Sequence, residues 1–229
     1  EQRHLNAVKE LLPIQQQSAT LSLVKKNCND LEDICNGVFL LGEISARTRD
    51  RIVSFGELLS SQIIAAAFNA AGFPAAWKDA RELIRTNADF GKAVVDFKQT
   101  DAQVAAFMSA ADKDIILVPG FIASEANGAT TTLGRGGSDY TAAILAAAIQ
   151  SNILEIWTDV SGMMTADPRW VSNVRIISSI SYQEAMELSH FGAKVIYPPT
   201  IQPVMTKNIP VWIKNTFAPQ ERRSVARRP

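Results

Sequence analysis

Residues that ligate metals or form disulfides are scarce in this chain: two cysteines and two histidines stand among 229 residues. Their spacings match no zinc pattern, so no metal site is expected from protein side chains. Cys28 and Cys35 lie in a helical pattern that separates their Cα atoms by about 10.5 Å, beyond disulfide reach. They read as reduced thiols, which points to the cytoplasm. Net charge is missing too, because 23 Lys and Arg balance 23 Asp and Glu. That balance removes any global electrostatic case for nucleic acid or an anionic membrane as partner. No apolar run approaches the length of a bilayer span, and EQRHLNAVKE at the N-terminus has neither an apolar leader core nor an initiator methionine. A chain without membrane segments, not starting where its gene starts, is the expectation.

What the chain has is apolar bulk: 47% of it is hydrophobic and 20% charged, enough for one large α/β domain with a sizeable core. The stretch from Thr130 to Gln150, TTTLGRGGSDYTAAILAAAIQ, is the part on which the rest is organised. Three threonines suit a strand, and Gly134, Gly136 and Gly137 suit a tight turn. Ser138 and Asp139 sit where N-caps belong, and the alanine-rich run from Tyr140 to Gln150 reads as a helix. With Arg135 in the turn and backbone N–H groups at the helix start, this is an anion site or else a plain glycine connector before a buried helix.

Upstream, residues from about Leu5 to Leu41 form an amphipathic helix broken near Pro13, with His4 a solvated end residue. A second helical stretch follows the cluster Arg47, Arg49 and Arg51 and stops at Gly72. Glu57 lies inside its apolar run beside Phe55, Leu58 and Leu59. Two readings stand: a surface carboxylate, or one presented to a cation such as a substrate ammonium. AAWKDA reads as a short strand, RELIRT as a brief helix and Gln99 to Ala111 as another helix. The run Asp114 to Ile122, DIILVPGFI, predicts a single strand buried on both faces, with Phe121 at its carboxyl end, where ligands commonly lie. Asn127-Gly128 predicts a hairpin turn.

Downstream, Ile153 to Asp159 predicts a second buried strand that delivers Thr158 and Asp159. Asp167-Pro168-Arg169 marks a turn with Arg169 free to reach an anion. Residues 181 to 192 predict a helix, Lys194 follows a Gly-Ala turn, and IPVWIKNTF is the last strand. His190 reads as structural. The arginine-rich segment ERRSVARRP reads as a disordered tail. The alternation of strands and helices argues for a sheet covered on both faces, with no repeat and no linker that would split it.

Five motifs in order, SFGELLSS (54 to 61), PGFI (119 to 122), TTTLGRGGSDYTAA (130 to 143), EIWTDVSGMMTADPR (155 to 169) and ELSHFGAKVIYPPTI (187 to 201), resemble the kinase domain of the aspartokinases, within the amino acid kinase family. The resemblance runs from about Arg49 to Thr216. It implies a three-layer αβα sandwich with an open, mostly parallel sheet. Residues 1–217 are then a partial kinase domain, with a helical part over 1–45, both ligand sites over 46–217, and a basic tail over 218–229. The implied reaction moves the γ-phosphoryl group of ATP, with Mg²⁺, to the side-chain carboxylate of L-aspartate, at the start of lysine, threonine, methionine and isoleucine synthesis.

By matching motifs, Glu57 resembles the residue holding the substrate ammonium, and Arg135 the one gripping the α-carboxylate, with Phe121 and Ser138 lining that pocket. Asp139 resembles the acid that orients two catalytic lysines, of which Lys194 is one. Thr158, Asp159, Met164, Arg169, Lys194 and Val195 match nucleotide-site positions, Met164 standing where relatives often carry an aromatic residue. The residue types suit the chemistry. An aspartate carboxylate is already an ionised nucleophile, so neutralising phosphoryl charge is the main task, and Arg suits a planar carboxylate while Lys suits a phosphoryl oxygen.

Three features depart from the family pattern. The opening strand with Lys-Phe-Gly-Gly-Thr and the next strand with its Ser/Thr turn are absent, as are the C-terminal regulatory domains through which a homodimer usually forms. ERRSVARRP also lacks the usual glycine-containing strand. As written, the chain is expected to turn over slowly. A glutamate kinase-like enzyme of the same fold and a non-catalytic ligand-binding fragment are the competing readings.

Overall fold

The computed structural model describes residues 1–167, 169–190, 195–220 and 224–228, the side chains of Pro198 and Pro199 excepted. The chain divides into two compact units, Glu1–Gly134 and Arg135–Pro229. The division falls inside the glycine turn, where composition shows no linker.

The first unit opens with three helices. α1 (Gln2–Leu11) stops before Pro13, which cannot donate a backbone N–H. The Gln17 side chain satisfies the carbonyl of Leu12 at 2.8 Å as α2 (Gln17–Leu41) begins. α2 ends at Gly42 in the left-handed region. Ser45 caps α3 (Ala46–Ala70), accepting the N–H of Thr48 at 3.0 Å. Val8, Val24, Leu59 and Ile63 bury together, so the three helices share one apolar seam. His4 is not the solvated end residue expected, since its Nδ1 is inaccessible and has no hydrogen-bond partner.

α3 corrects the expectation about apolar runs. By length and composition it is long and apolar enough to cross a membrane, and 33% of the qualifying stretch is buried. The alanines and isoleucines of its second half carry the run. Asp50, Ser54, Leu58 and Ser61 form a mixed polar and apolar buried stripe on the same helix.

Short elements follow: β1 (Ala75–Trp77), α4 (Ala80–Leu83), β2 (Arg85–Thr86), α5 (Phe97–Ala110), β3 (Ile115–Leu117), β4 (Ile122–Glu125) and β5 (Thr130–Thr132). β1 pairs parallel with β3, and β2 pairs parallel with β4, which pairs antiparallel with β5. The run from Asp114 to Ile122 is therefore two strands in two ladders rather than one strand buried on both faces. β3 is half-buried throughout, whereas all four residues of β4 are buried. Pro119 cannot continue a ladder, and Phe121 turns the chain with φ of 69° while Ile122 N–H donates to the Gly120 carbonyl at 2.8 Å. The Asn127-Gly128 hairpin is present, with the Glu125 carboxylate accepting the N–H groups of Asn127 and Ala129.

The second unit contains α6 (Gly137–Ala148), β6 (Leu154–Thr158), β7 (Ser179–Ser181), α7 (Tyr182–His190), α8 (Pro198–Thr206), β8 (Val211–Asn215) and β9 (Ser224–Arg227). Its sheet has the order β6-β8-β9-β7, parallel except between β8 and β9. Leu154, Ile156, Val211, Ile213 and Ala226 face one core with Ala143, Ala146, Ile201 and Val204. β6 alternates between buried and exposed, with Trp157 46% exposed, so it is half-buried rather than fully buried.

The segment expected to be a disordered basic tail contains a strand. Ser224–Arg227 is an interior strand between β8 and β7, with Ser224 and Ala226 fully buried. Small residues at alternate positions fit the pleat. The arginines around them hid that period.

Candidate active site

In the first unit the two expected residues share a neighbourhood. Glu57 stands on α3, and the next residue, Leu58, is buried with Ala80 and Ile122 in a cluster against which Phe121, Trp77 and Val118 pack. Burial raises the Glu57 carboxyl above its ordinary range. The carboxylate is thus half-buried rather than a freely solvated surface group. A relay fixes the helix turn beneath it: Trp77 Nε1 donates to Ser61 Oγ at 2.9 Å, and that hydroxyl donates to the Glu57 carbonyl at 2.7 Å. The left-handed backbone at Phe121 is costly for a bulky residue, and such strain clusters where function demands a fixed side chain.

The sequence reading missed Asp50. It is 2% exposed, and its carboxylate accepts from Gly91 N–H at 2.8 Å, Thr132 N–H at 3.0 Å and Thr132 Oγ1 at 3.0 Å. It thus ties α3 to the end of β5 and to the loop against which Gly134 packs, since a Cβ on Gly134 would lie 3.2 Å from the Gly91 carbonyl. Asp50 was hidden among three arginines. Its position four residues before Ser54 and eight before Leu58, on the buried stripe, is the signal that would have found it.

In the second unit the glycine turn becomes a helix start. α6 is capped by Gly136 with φ of 69°, not by Ser138 or Asp139, which occupy its first turn. The backbone N–H groups of that turn face out from the positive end of the helix. Arg135 and Ser138 are exposed. The Arg135 guanidinium lies 6.0 Å from the Tyr197 ring centroid, and a Cβ on Gly136 would come within 2.8 Å of Tyr197 Cβ. Tyr197 was not anticipated. Only the fold brings it to the turn, along with the segment that begins at Val195, which packs half-buried on the core. Burial raises the carboxyl of Asp139 and the phenol of Tyr140. Lys194, the expected catalytic lysine, lies outside the described residues.

Of the remaining expected residues, Thr158 and Asp159 stand at the carboxyl end of β6, which pairs parallel with β8, the kind of place where ligands bind in open α/β sheets. Thr158 ends the strand, its hydroxyl 3.2 Å from Asp159 Oδ1 and its carbonyl accepting Thr216 N–H at 2.8 Å. Met164 bridges to Ile176. Arg169 is not free as expected. Its Nε and Nη2 fork onto Asp167 at 2.6–3.1 Å, which raises its pKa, although it is 78% exposed. An acid two residues before an arginine across a turn is well placed for that fork. Among the described residues no group of three or more His, Cys, Asp or Glu side chains converges to hold a metal.

A model of the amino acid kinase family matches residues 4–215. The chain belongs to the amino acid kinase family. Within it, the chain is 38% identical over 217 residues to a chloroplastic bifunctional aspartokinase/homoserine dehydrogenase 2 of Zea mays, covering 94% of this chain and 24% of that protein. It is 39% identical over 198 residues to the lysine-sensitive aspartokinase 3 of Escherichia coli, covering 83% of this chain and 44% of that one. Among solved structures, E. coli aspartokinase III in complex with aspartate and ADP superposes with a TM-score of 0.88 at 34% identity, over 93% of this chain and 47% of that one. The likeness shows the fold, the α/β class of this kinase family with mostly parallel strands. This family member spans about a quarter of the length of the bifunctional relatives and under half of the E. coli enzyme.

Proposed function

We propose that this chain is the kinase part of an aspartate kinase, moving the γ-phosphoryl group of ATP to the side-chain carboxylate of L-aspartate to give 4-phospho-L-aspartate. The observation that carries the reading is the Arg135–Asp139 turn. An exposed guanidinium braced on Tyr197 stands beside the open N-terminus of α6, a combination suited to a planar carboxylate. The aspartokinase relatives supply the substrate class, since the E. coli structure was solved with aspartate and ADP.

In this assignment Glu57 takes the substrate ammonium, which returns its carboxyl to the charged form that burial disfavours. Arg135 takes the α-carboxylate by its fork, with Ser138 and Phe121 as lining. Thr158, Asp159, Met164, Arg169 and Val195 serve the nucleotide, and Arg169 exchanges Asp167 for phosphate oxygens. Asp139 and Lys194 serve the transferring group. A side-chain carboxylate oxygen of the substrate forms the new bond to phosphorus as the bond to the β,γ-bridging oxygen breaks, and ADP leaves. No proton need be removed from an ionised carboxylate. Asp159, at the end of β6, is the residue that would help hold a Mg²⁺ ion bound with ATP, which would supply offsetting positive charge to the phosphates. The same reading places the reaction at the first step of lysine, threonine, methionine and isoleucine synthesis. The free Cys28 and Cys35 support a reducing, cytoplasmic setting, and a homodimer is part of the same reading.

The test is formation of acyl hydroxamate from ATP and hydroxylamine with aspartate or glutamate as acceptor. Aspartate as the better acceptor supports the reading. Preference for glutamate, or nucleotide binding without hydroxamate in the full-length parent, overturns it.

A further inference from the structure

Between β6 and β7 the chain makes a hairpin arm. Ile177 N–H donates to the Met163 carbonyl at 2.8 Å, Met164 bridges antiparallel to Ile176, and Thr165 N–H donates to the Arg175 carbonyl at 3.0 Å. Arg175 N–H returns to Thr165 Oγ1 at 3.1 Å. The far end carries Asp167, Arg169 and the 86% exposed Trp170. Met163, fully buried, is the arm's apolar anchor, so its orientation rests heavily on what grips the base.

That grip comes from Ser224. Its fully buried hydroxyl accepts Met163 N–H at 2.8 Å and donates to the Ile177 carbonyl at 2.6 Å, so one side chain holds both strands of the arm. Gly162, the last residue before the arm, has φ of 139°, and a Cβ there would lie 2.3 Å from Ser224 Oγ and 2.9 Å from both Ser224 Cβ and Ser224 N. No larger residue fits without moving β9. The arm base and β9 therefore meet nearly backbone to backbone. Asn215 Nδ2, donating to Ser161 Oγ at 3.1 Å, pins the preceding loop to the end of β8.

We propose that Ser224 is a positioning residue for the nucleotide. Through Met163 and Ile177 it fixes the base of the arm that bears Met164 and Arg169 and that follows Thr158 and Asp159 in the chain. The inference rests on the nucleotide assignment of those four residues made above, and not on which carboxylate accepts the phosphoryl group. Removing the hydroxyl leaves the buried Met163 N–H and the part-buried Ile177 carbonyl each short of a partner, and the arm base loosens toward solvent.

The experiment is equilibrium binding of ATP and ADP, each with Mg²⁺, to the full-length protein and its Ser224→Ala and Gly162→Ala variants, with KM for ATP and for aspartate measured in parallel. Ser224→Ala is expected to weaken nucleotide binding about fivefold to tenfold, the scale of one buried hydrogen-bond bridge. Gly162→Ala should weaken it further, and KM for aspartate should stay within about twofold of wild type in both. Unchanged nucleotide affinity in both folded variants overturns the proposal. So does an equal rise in the two KM values, which is what a general loss of folded structure would give. Because nucleotide affinity is read without an acceptor, a wild-type protein that binds ATP yet does not phosphorylate aspartate breaks the proposed reaction while this measurement still decides the role of Ser224.

Discussion

Around α3, one buried carboxylate gathers three donors at Asp50, and Arg81 forks onto Asp79 while reaching Thr130 Oγ1 at 3.2 Å. Around α6 and β6 the second unit does the equivalent job with glycine: Gly136 lies under Tyr197 and Gly162 under Ser224, each so close that a methyl group has no room. The first unit ties its elements together by charge-assisted hydrogen bonds, the second by backbone approach beside a single apolar core. The difference teaches which change each unit tolerates least. Removing a charge should hurt the first, and adding a carbon should hurt the second.

The sharpest break is Asp50→Ala. It strands the N–H groups of Gly91 and Thr132, and the expected loss is on the order of 3–5 kcal/mol of unfolding free energy, read by urea denaturation. A loss below about 1 kcal/mol would show that the buried carboxylate does not hold the first unit. Next is Gly136→Ala, where a left-handed φ combines with a 2.8 Å contact. About 2 kcal/mol of destabilisation is expected, and Tyr197→Ala should not rescue it, because the offending atom is Tyr197 Cβ. Rescue by that double substitution would mean that the ring, not the backbone approach, sets the geometry.

Arg135→Lys tests binding rather than folding. A two-point contact becomes a single point, so KM for aspartate should rise about tenfold with KM for ATP little changed, an effect on the order of 1–3 kcal/mol. Equal changes in both constants would remove Arg135 from the carboxylate role.

The smallest effect on stability is at Glu57. Its carboxyl is raised in the fold by burial, so the neutral form is the favoured one there. Its contribution to stability is full below the ordinary carboxylate range and is lost as pH rises through the raised value, because the charged form is the one that burial disfavours. Glu57→Gln should therefore raise the melting temperature slightly at pH 7, on the order of 1–2 °C, and flatten the fall in stability above about pH 4.5, while abolishing tight aspartate binding. A lower melting temperature at pH 7 would show that Glu57 has a cationic partner in the free protein.

Legibility divides by the kind of element rather than by unit. Helices with long periodic runs were readable because burial of one face repeats every three or four residues, and the break at Pro13 and the stops at Gly42 and Gly72 carry backbone chemistry in single letters. Short strands were not. DIILVPGFI looks continuous, yet the missing N–H of Pro119 and the turn at Phe121 divide it between two ladders. SVAR looks like a charged tail, yet its small residues fill the interior of a sheet. Among the candidate residues, Glu57, Phe121, Arg135 and Asp139 were visible as unusual types in fixed motifs. Asp50, Tyr197, Asp167 and Ser224 were not, because each matters through a partner distant in sequence or through a fork across a turn.

By itself the sequence determined the family, the long helices, and the turn that joins Arg135 to the start of α6, since these depend on local propensity and on residue order. Only the tertiary structure decided which glycines are irreplaceable, that Arg135 is braced on Tyr197, that Arg169 is held by Asp167, and that Ser224 grips the arm after β6. Those outcomes depend on which atoms meet across long stretches of chain, and packing sets such meetings where periodicity is silent.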